Sequence, residues 1–393
     1  MYKPTISALL LIALGSISFS AYSQTFDVVQ IIQNNTAGFS GLDNPRQLRF
    51  NHQGTQAVAV SGDDNAVVTF TLDANKQLVQ EQLFQSSDAH PLLLTGASDA
   101  VFVNSNLILN TSFYDGALNV LAKDKTGKFN LVQTFSDEVS YKVVFDPTKN
   151  ASAHDILSLF APWKISLSGD KRYAFIPSYK SNTITAFRIT PANSVTWLGP
   201  IDSAEQTDMG GPVDVLVSKE ANALIVAGYE GDVITLWQQT KGTYTVKQRI
   251  VKNDTNLLAL SKPQALVASS DFTVFYVAAA GSNSILAFER QQNGQYHLLQ
   301  TIDANQVGKP LNGVSTLLLA ADGKRLFAAS ESSSGIAEFS VTATGKLTHI
   351  ATFDDLTNPL ANISALAFVT DANHLAVSLA KQDTIKILKI RKQ

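Results

Sequence analysis

Seven times between residues 45 and 390 the chain runs through the same pattern of short apolar segments and turns, each copy about fifty residues long. SYKSNTITAF (178–187), GYEGDVITLW (228–237) and AGSNSILAFE (280–289) are its clearest copies. The residues that open the copies are Pro45, Ala97, Pro162, Pro212, Pro263, Val314 and Ile363. Twenty-two positions after this anchor stand Val67, Ile184, Ile234, Ile285, Ile336 and Ile385. Three positions further stand Phe70, Phe187, Trp237, Phe288, Phe339 and Leu388. The second copy joins this register after a shift of one residue, which brings in Leu118 and Leu121. A unit this small buries its apolar face only against its neighbours, so the repeat decides the fold.

Each copy reads as four short strands, a to d. In the fifth copy these are PQALVAS, TVFYVAA, SILAFE and YHLLQTI. Breakers such as DGK (322–324), KTGK (125–128), QNGQ (292–295) and ATGK (343–346) separate them, and Gly or Asn there accepts the positive φ of tight hairpins. Apolar, β-branched runs between such turns mean antiparallel sheet. The last copy stops at strand c, DTIKILKI (383–390), while FDVVQII (26–32) resembles the strand d segments FNLVQTF (129–135) and YHLLQTI (296–302). The expected architecture is therefore all-β: a seven-bladed β-propeller of four-stranded antiparallel blades. Residues 26–32 complete the last blade and close the ring, which leaves no open sheet edge.

Residues 1–23 read as a cleaved secretory signal: Lys3, an apolar run over 6–17, then Ala21 and Ser23 before Gln24. Residues 24–393 then form a single propeller domain, exported to the periplasm or the exterior, with no membrane span in the mature chain. No cysteine is present, which excludes disulfides, thiolate metal ligands and a catalytic thiol. With 45% hydrophobic residues the core alone suffices to hold a chain of this length. The net charge of −3 is spread without a basic patch, so nucleic acid is not an expected partner. A monomer is expected.

Four-stranded copies of this length, of which PWKISLSGDKRYAFIPSYKSNTITAFRI (162–189) is the best example, resemble the YVTN/lactonase-like seven-bladed propellers. WD40 repeats match less well, since no Gly-His or Trp-Asp pair punctuates the copies. The resemblance implies either a 6-phosphogluconolactonase-like hydrolase or one of the family's non-catalytic periplasmic and surface-layer members. It also implies a His close behind the Gly-Pro that opens strand a. The corresponding stretches NPRQL (44–48), APWKI (161–165), GPVDV (211–215) and KPQAL (262–266) contain none. Of the six histidines, His52, His90, His154, His297, His349 and His374, five fall in or beside expected turns, loops or outer strands at unrelated repeat positions.

No catalytic, metal or cofactor constellation is legible, and neither a metal nor a cofactor is expected; GDDNA (62–66) and SAHDIL (152–157) read as solvated segments. The candidate site is the face where the b–c and d–a loops meet. Seventeen positions after the anchor lie Tyr179 and Tyr229, with Tyr114 as their counterpart, followed by Lys180, Glu230 and Asp115. Near the channel mouth lie Arg46, Asp99, Lys164 and Asp214. The equivalents of the last three in blades five to seven, Ala265, Thr316 and Ala365, are small or uncharged, which confines the expected site to blades two to four. The long connection 136–161 lies on the same face. Trp163 and Trp197 read as packing residues. The leading expectation is a binding module for a protein, peptide or glycan, or a small molecule. The alternatives are a lactonase acting through Arg46, Lys164 and Asp214, and a metal- or quinone-dependent sugar oxidoreductase.

Overall fold

The computed structural model describes residues 26–391 apart from 87–91, 138–140, 147, 149–153, 202–207, 253–256, 355–358 and 372. Residues 1–23, expected to be an export signal, and His90 lie outside the described residues.

Each blade of the ring is a four-stranded antiparallel sheet. In blade 1 the strands are Pro45–Phe50, Gln56–Ser61, Ala66–Leu72 and Leu78–Gln85, from the channel outward. Blade 7 takes Ile363–Phe368, His374–Leu379 and Thr384–Ile390 from the end of the chain and Phe26–Gln33 from its beginning. Phe26 pairs with Ile390 and Gln33 with Thr384, so the ring is closed by its two termini. The middle strands are buried on both faces, and seven apolar clusters fill the gaps between blades. Among the described residues helix is confined to single turns such as Tyr141–Val144, and none is long and apolar enough to cross a membrane.

The second blade's shifted register has a local cause. Its first hairpin turns tightly at Ser105 and Asn106, and Ala97 pairs with Ser112, a hairpin one residue shorter than the one that pairs Pro45 with Ser61 in blade 1.

The outer strands explain the recurring Gln. The side chains of Gln30, Gln82, Gln248 and Gln300 each bridge to the next blade. The amide donates to one backbone carbonyl there and accepts from the N–H of the same residue, Leu78, Phe129, Tyr296 or Leu347, at 2.7–3.0 Å. Gln82→Leu will strip Phe129 of both partners and lower stability by roughly 1–3 kcal/mol in denaturant unfolding. The exposed Gln133, which makes no such bridge among the described residues, will tolerate Leu within about 0.5 kcal/mol.

Candidate functional site

Two local rules build the face where the b–c and d–a loops meet. First, the residue before every anchor is left-handed: Asn44, Gly96, Ala161, Gly211, Lys262, Gly313 and Asn362 all have φ between 49° and 66°. Four of them precede proline, which disfavours the right-handed helical alternative. The twist turns each carbonyl toward the b–c loop, where it accepts the N–H of Gly62, Phe113, Tyr179, Tyr229 or Ala280 in blades 1 to 5, and of Ala380 in blade 7. In blade 6 the Ser330 hydroxyl donates to Gly313 instead. Second, a bulge follows the anchor in six blades, between Pro45 and Gln47, Ala97 and Asp99, Pro212 and Asp214, Pro263 and Ala265, Val314 and Thr316, and Ile363 and Ala365. A bulged residue leaves the ladder and its side chain is re-aimed. Arg46, Ser98, Gln264, Ser315 and Ser364 are such residues, and with Trp163 they line the channel mouth.

The mouth is a cavity of about 280 Å³. At its centre the guanidinium of Arg46 grips the carboxylate of Glu331 through two hydrogen bonds, Nη1 to Oε1 and Nη2 to Oε2, the second at 3.0 Å. Asn44 Oδ1 holds Nη1 from behind at 3.3 Å, and Asn362 Nδ2 donates to the Glu331 carbonyl at 2.9 Å. Glu331 stands seventeen positions after Val314. It is therefore the blade 6 counterpart of Tyr179 and Tyr229. Attention to tyrosines alone hides it, although the same spacing finds it.

One wall is aromatic. Phe113 meets Trp163 edge-on at 5.2 Å and Tyr114 edge-on at 5.2 Å, and stacks on Phe145 at 5.4 Å. Tyr179 adjoins Trp163 at 6.2 Å, and the Lys180 ammonium lies 5.2 Å above Phe145. Phe145 comes from the long connection between blades 2 and 3, so that connection does reach this face. Tyr114 lies flat on Gly96, where any Cβ would come within 2.4 Å of its ring. The ring is thus fixed while 44% of the residue faces solvent.

Several sequence expectations need correction. The counterpart of Tyr179 and Tyr229 is Phe113, whose N–H reaches Gly96; Tyr114 lies one residue on, because of the shortened blade 2 hairpin. The Asp115 carboxylate accepts the Thr95 N–H at 2.7 Å and fixes a loop. Asp99, Lys164 and Asp214 are two separate pairs. Asp99, fully buried, takes Arg49 at 3.0 and 2.7 Å and the Ile165 N–H of blade 3 at 2.8 Å. Burial pushes its carboxyl up, and Arg49, the Ile165 N–H and Lys164 draw it back down. Asp214 takes Lys164 at 2.7 Å and the Leu266 N–H of blade 5 at 2.9 Å. Both carboxylates therefore stitch blades together, and only Lys164 of the three lines the mouth.

Tyr179 donates to Glu230 at 2.7 Å, and burial followed by this bond raises its phenol to about 12. The Tyr229 ring lies under the Lys262 ammonium at 5.3 Å. Trp163 is a wall of the cavity and not merely packing, whereas Trp197 donates to the Leu157 carbonyl at 3.1 Å. The mouth also draws on Arg46, Gln264, Ser315, Glu331 and Ser364, well outside blades 2 to 4. Among the described residues no histidine lines it, and no group of three or more His, Cys, Asp or Glu is placed to hold a metal ion.

A family model described as "Lactonase, 7-bladed beta-propeller" matches residues 160–393, more than half of the chain. The chain belongs to this lactonase family. No curated protein matches it significantly in sequence. Solved structures share the fold at low identity. A putative 6-phosphogluconolactonase from Bacteroides uniformis is 17% identical, with a TM-score of 0.61 over 83% of this chain and 88% of that one. The periplasmic gluconolactonase of Pseudomonas aeruginosa is 13% identical, with a TM-score of 0.58 over 81% and 89%. A β-propeller domain from Myceliophteria thermophila is 11% identical, with a TM-score of 0.62 over 93% and 100%. Likeness at this level carries the propeller fold and, within this family, no particular reaction.

Proposed function

We propose that this propeller is an exported binding module whose ligand is a small polyhydroxylated acid or its lactone, held at the channel mouth. The observation behind this reading is the mouth cavity itself. It combines a guanidinium and an ammonium for a carboxylate or carbonyl oxygen, side-chain amides and hydroxyls for ligand hydroxyls, and the Trp163 wall for an apolar ring face. At about 280 Å³ it lies at the small end of ligand pockets, near 300 Å³. Arg46 is the anchoring group. Its guanidinium is already oriented by Asn44 and Glu331, so little side-chain entropy is left to lose on binding. Export rests on the reading of residues 1–23.

Lactone hydrolysis is the second reading. The observation favouring it is that the cavity's carboxylate and guanidinium are side by side: Glu331 would take a proton from the water attacking the lactone carbonyl, Arg46 would stabilise the oxyanion, and as the ring C–O bond breaks Glu331 would return the proton to the departing ring oxygen. Both Glu331 oxygens are held by Arg46, and acting as a base costs it one of those bonds, so binding stands first.

Titration of the mature protein with D-gluconate and D-glucono-1,5-lactone, followed by calorimetry and by lactone consumption, tests both. Arg46→Ala will weaken binding by roughly ten- to a hundredfold, the loss of one charge-assisted contact of about 1.5–3 kcal/mol. Consumption of lactone by the wild type that Glu331→Gln abolishes would move the assignment to the hydrolase. Absence of binding to either compound would sink the channel-mouth reading.

A further inference from the structure

A second depression adjoins the cavity at the channel mouth. Gln264, Ser315 and Glu331 form one wall of the cavity and also one wall of this broader, more open depression of about 390 Å³ toward the rim. This is the half of the face whose residues are small: Ala280, Gly281 and Gly313 lie along the depression. Those positions keep the floor low. At Gly313, left-handed at φ 66°, a Cβ would come within 2.1 Å of Ser332 Oγ. The small residues that read as featureless in the sequence thus leave room for a ligand.

The depression is edged by two cations, Lys262 and Lys381, and by the ring of Tyr229. They differ electrostatically from the cations of the mouth. Arg46 is paired with Glu331 and Lys164 with Asp214, whereas neither Lys262 nor Lys381 has a carboxylate partner among the described residues. Lys262 is instead held over the Tyr229 ring at 5.3 Å, which pins an ammonium at the edge without neutralising it. Two positive charges facing a shared concave surface create a local potential that favours an anion.

We propose that this depression is a second subsite, so that the ligand is an acidic oligosaccharide of at least two sugar units rather than a single sugar. One unit occupies the mouth beside Trp163 and Arg46. The next lies beyond the Gln264–Ser315 edge, sets its ring beside Tyr229 and places its carboxylate at Lys262 and Lys381. The inference rests on the binding reading of the mouth. The shared edge supports it, because Gln264, Ser315 and Glu331 border both spaces and two linked rings are long enough to lie on either side of them. The lining supports it too: amides, hydroxyls and aromatic faces suit sugar hydroxyls and the apolar faces of sugar rings.

The test is calorimetric titration of the mature protein with D-galacturonate, digalacturonate and trigalacturonate at low and physiological salt. The dimer will bind about tenfold more tightly than the monomer, equivalent to about 1.4 kcal/mol, and added salt will erode the difference because the lysines are exposed. The double substitution Lys262→Ala/Lys381→Ala will remove the dimer's advantage and leave the monomer within about twofold. Both lysines are exposed, so the variant keeps its fold, which its melting temperature verifies. Equal affinity for monomer and dimer, or an advantage that survives in the double variant, overturns the second subsite while leaving the mouth intact. Failure of all three galacturonates while D-gluconate still binds overturns the subsite alone; failure of D-gluconate as well overturns the reading of the mouth and the subsite with it.

Discussion

Asp99→Ala will destabilise the protein by about 2–3 kcal/mol, the loss of charge-assisted hydrogen bonds from a buried carboxylate whose partner Arg49 keeps 34% of its side chain in water. The carboxylate is fully buried, and its three bonds run to Arg49 of blade 1 and to the Ile165 N–H of blade 3. Removing it leaves a guanidinium and a backbone N–H without their acceptor at the junction of three blades. The site it was expected to serve is a separate matter. Because Asp99 does not line the mouth, ligand affinity measured on the folded fraction will stay within about threefold, less than 1 kcal/mol. Denaturant unfolding and calorimetry on the same variant separate the two quantities. An unchanged unfolding free energy together with lost binding would return Asp99 to the ligand and remove it from the scaffold.

That test bears on how the sequence and the structure relate. The propeller was legible because the repeat spaces its apolar positions evenly, as with Ile184, Ile234, Ile285 and Ile336, and because the unfinished seventh copy needs a strand like 26–32. The ring closure follows from counting alone. The site was legible only in parts. Arg46, Lys164, Trp163 and the tyrosines are visible as unusual residues at repeat positions, yet their directions are set by the bulge after each anchor. A bulge adds one residue without changing the apolar pattern around it. In consequence the second position after the anchor reads as the channel mouth, when the first position lines it in most blades and the second only at Gln47, Lys164 and Thr316. Glu331 was missed for another reason: its partner Arg46 is 285 positions away in the chain, and only a closed ring brings blades 1 and 6 together across the mouth. Tyr114 was misassigned by the one-residue turn difference in blade 2.

The same dependence on closure makes the N-terminal strand the most sensitive element of the molecule. A mature chain shortened to begin at Asn34 will lose more than about 5 kcal/mol, the net stability of an ordinary domain, and will show no cooperative unfolding transition near that of the full chain. Three losses combine. The ladder from Phe26–Ile390 to Gln33–Thr384 disappears and bares the edge of the strand Thr384–Ile390. The fully buried Ile32 leaves the cluster it shares with Leu48, Phe70 and Ile385, worth about 2–5 kcal/mol by itself. The Gln30 bridge to Leu78 of blade 1 goes as well. Binding at the mouth will fail along with the fold, because Arg46 and Glu331 face each other only while blade 7 joins blade 6 to blade 1. Circular dichroism melting and gluconate titration of the shortened chain follow both effects. Ile32→Ala in the full chain is the graded control, lowering stability while keeping the ladder and therefore the site. A shortened chain that still melts cooperatively and still binds would mean that the inner strands alone close the ring.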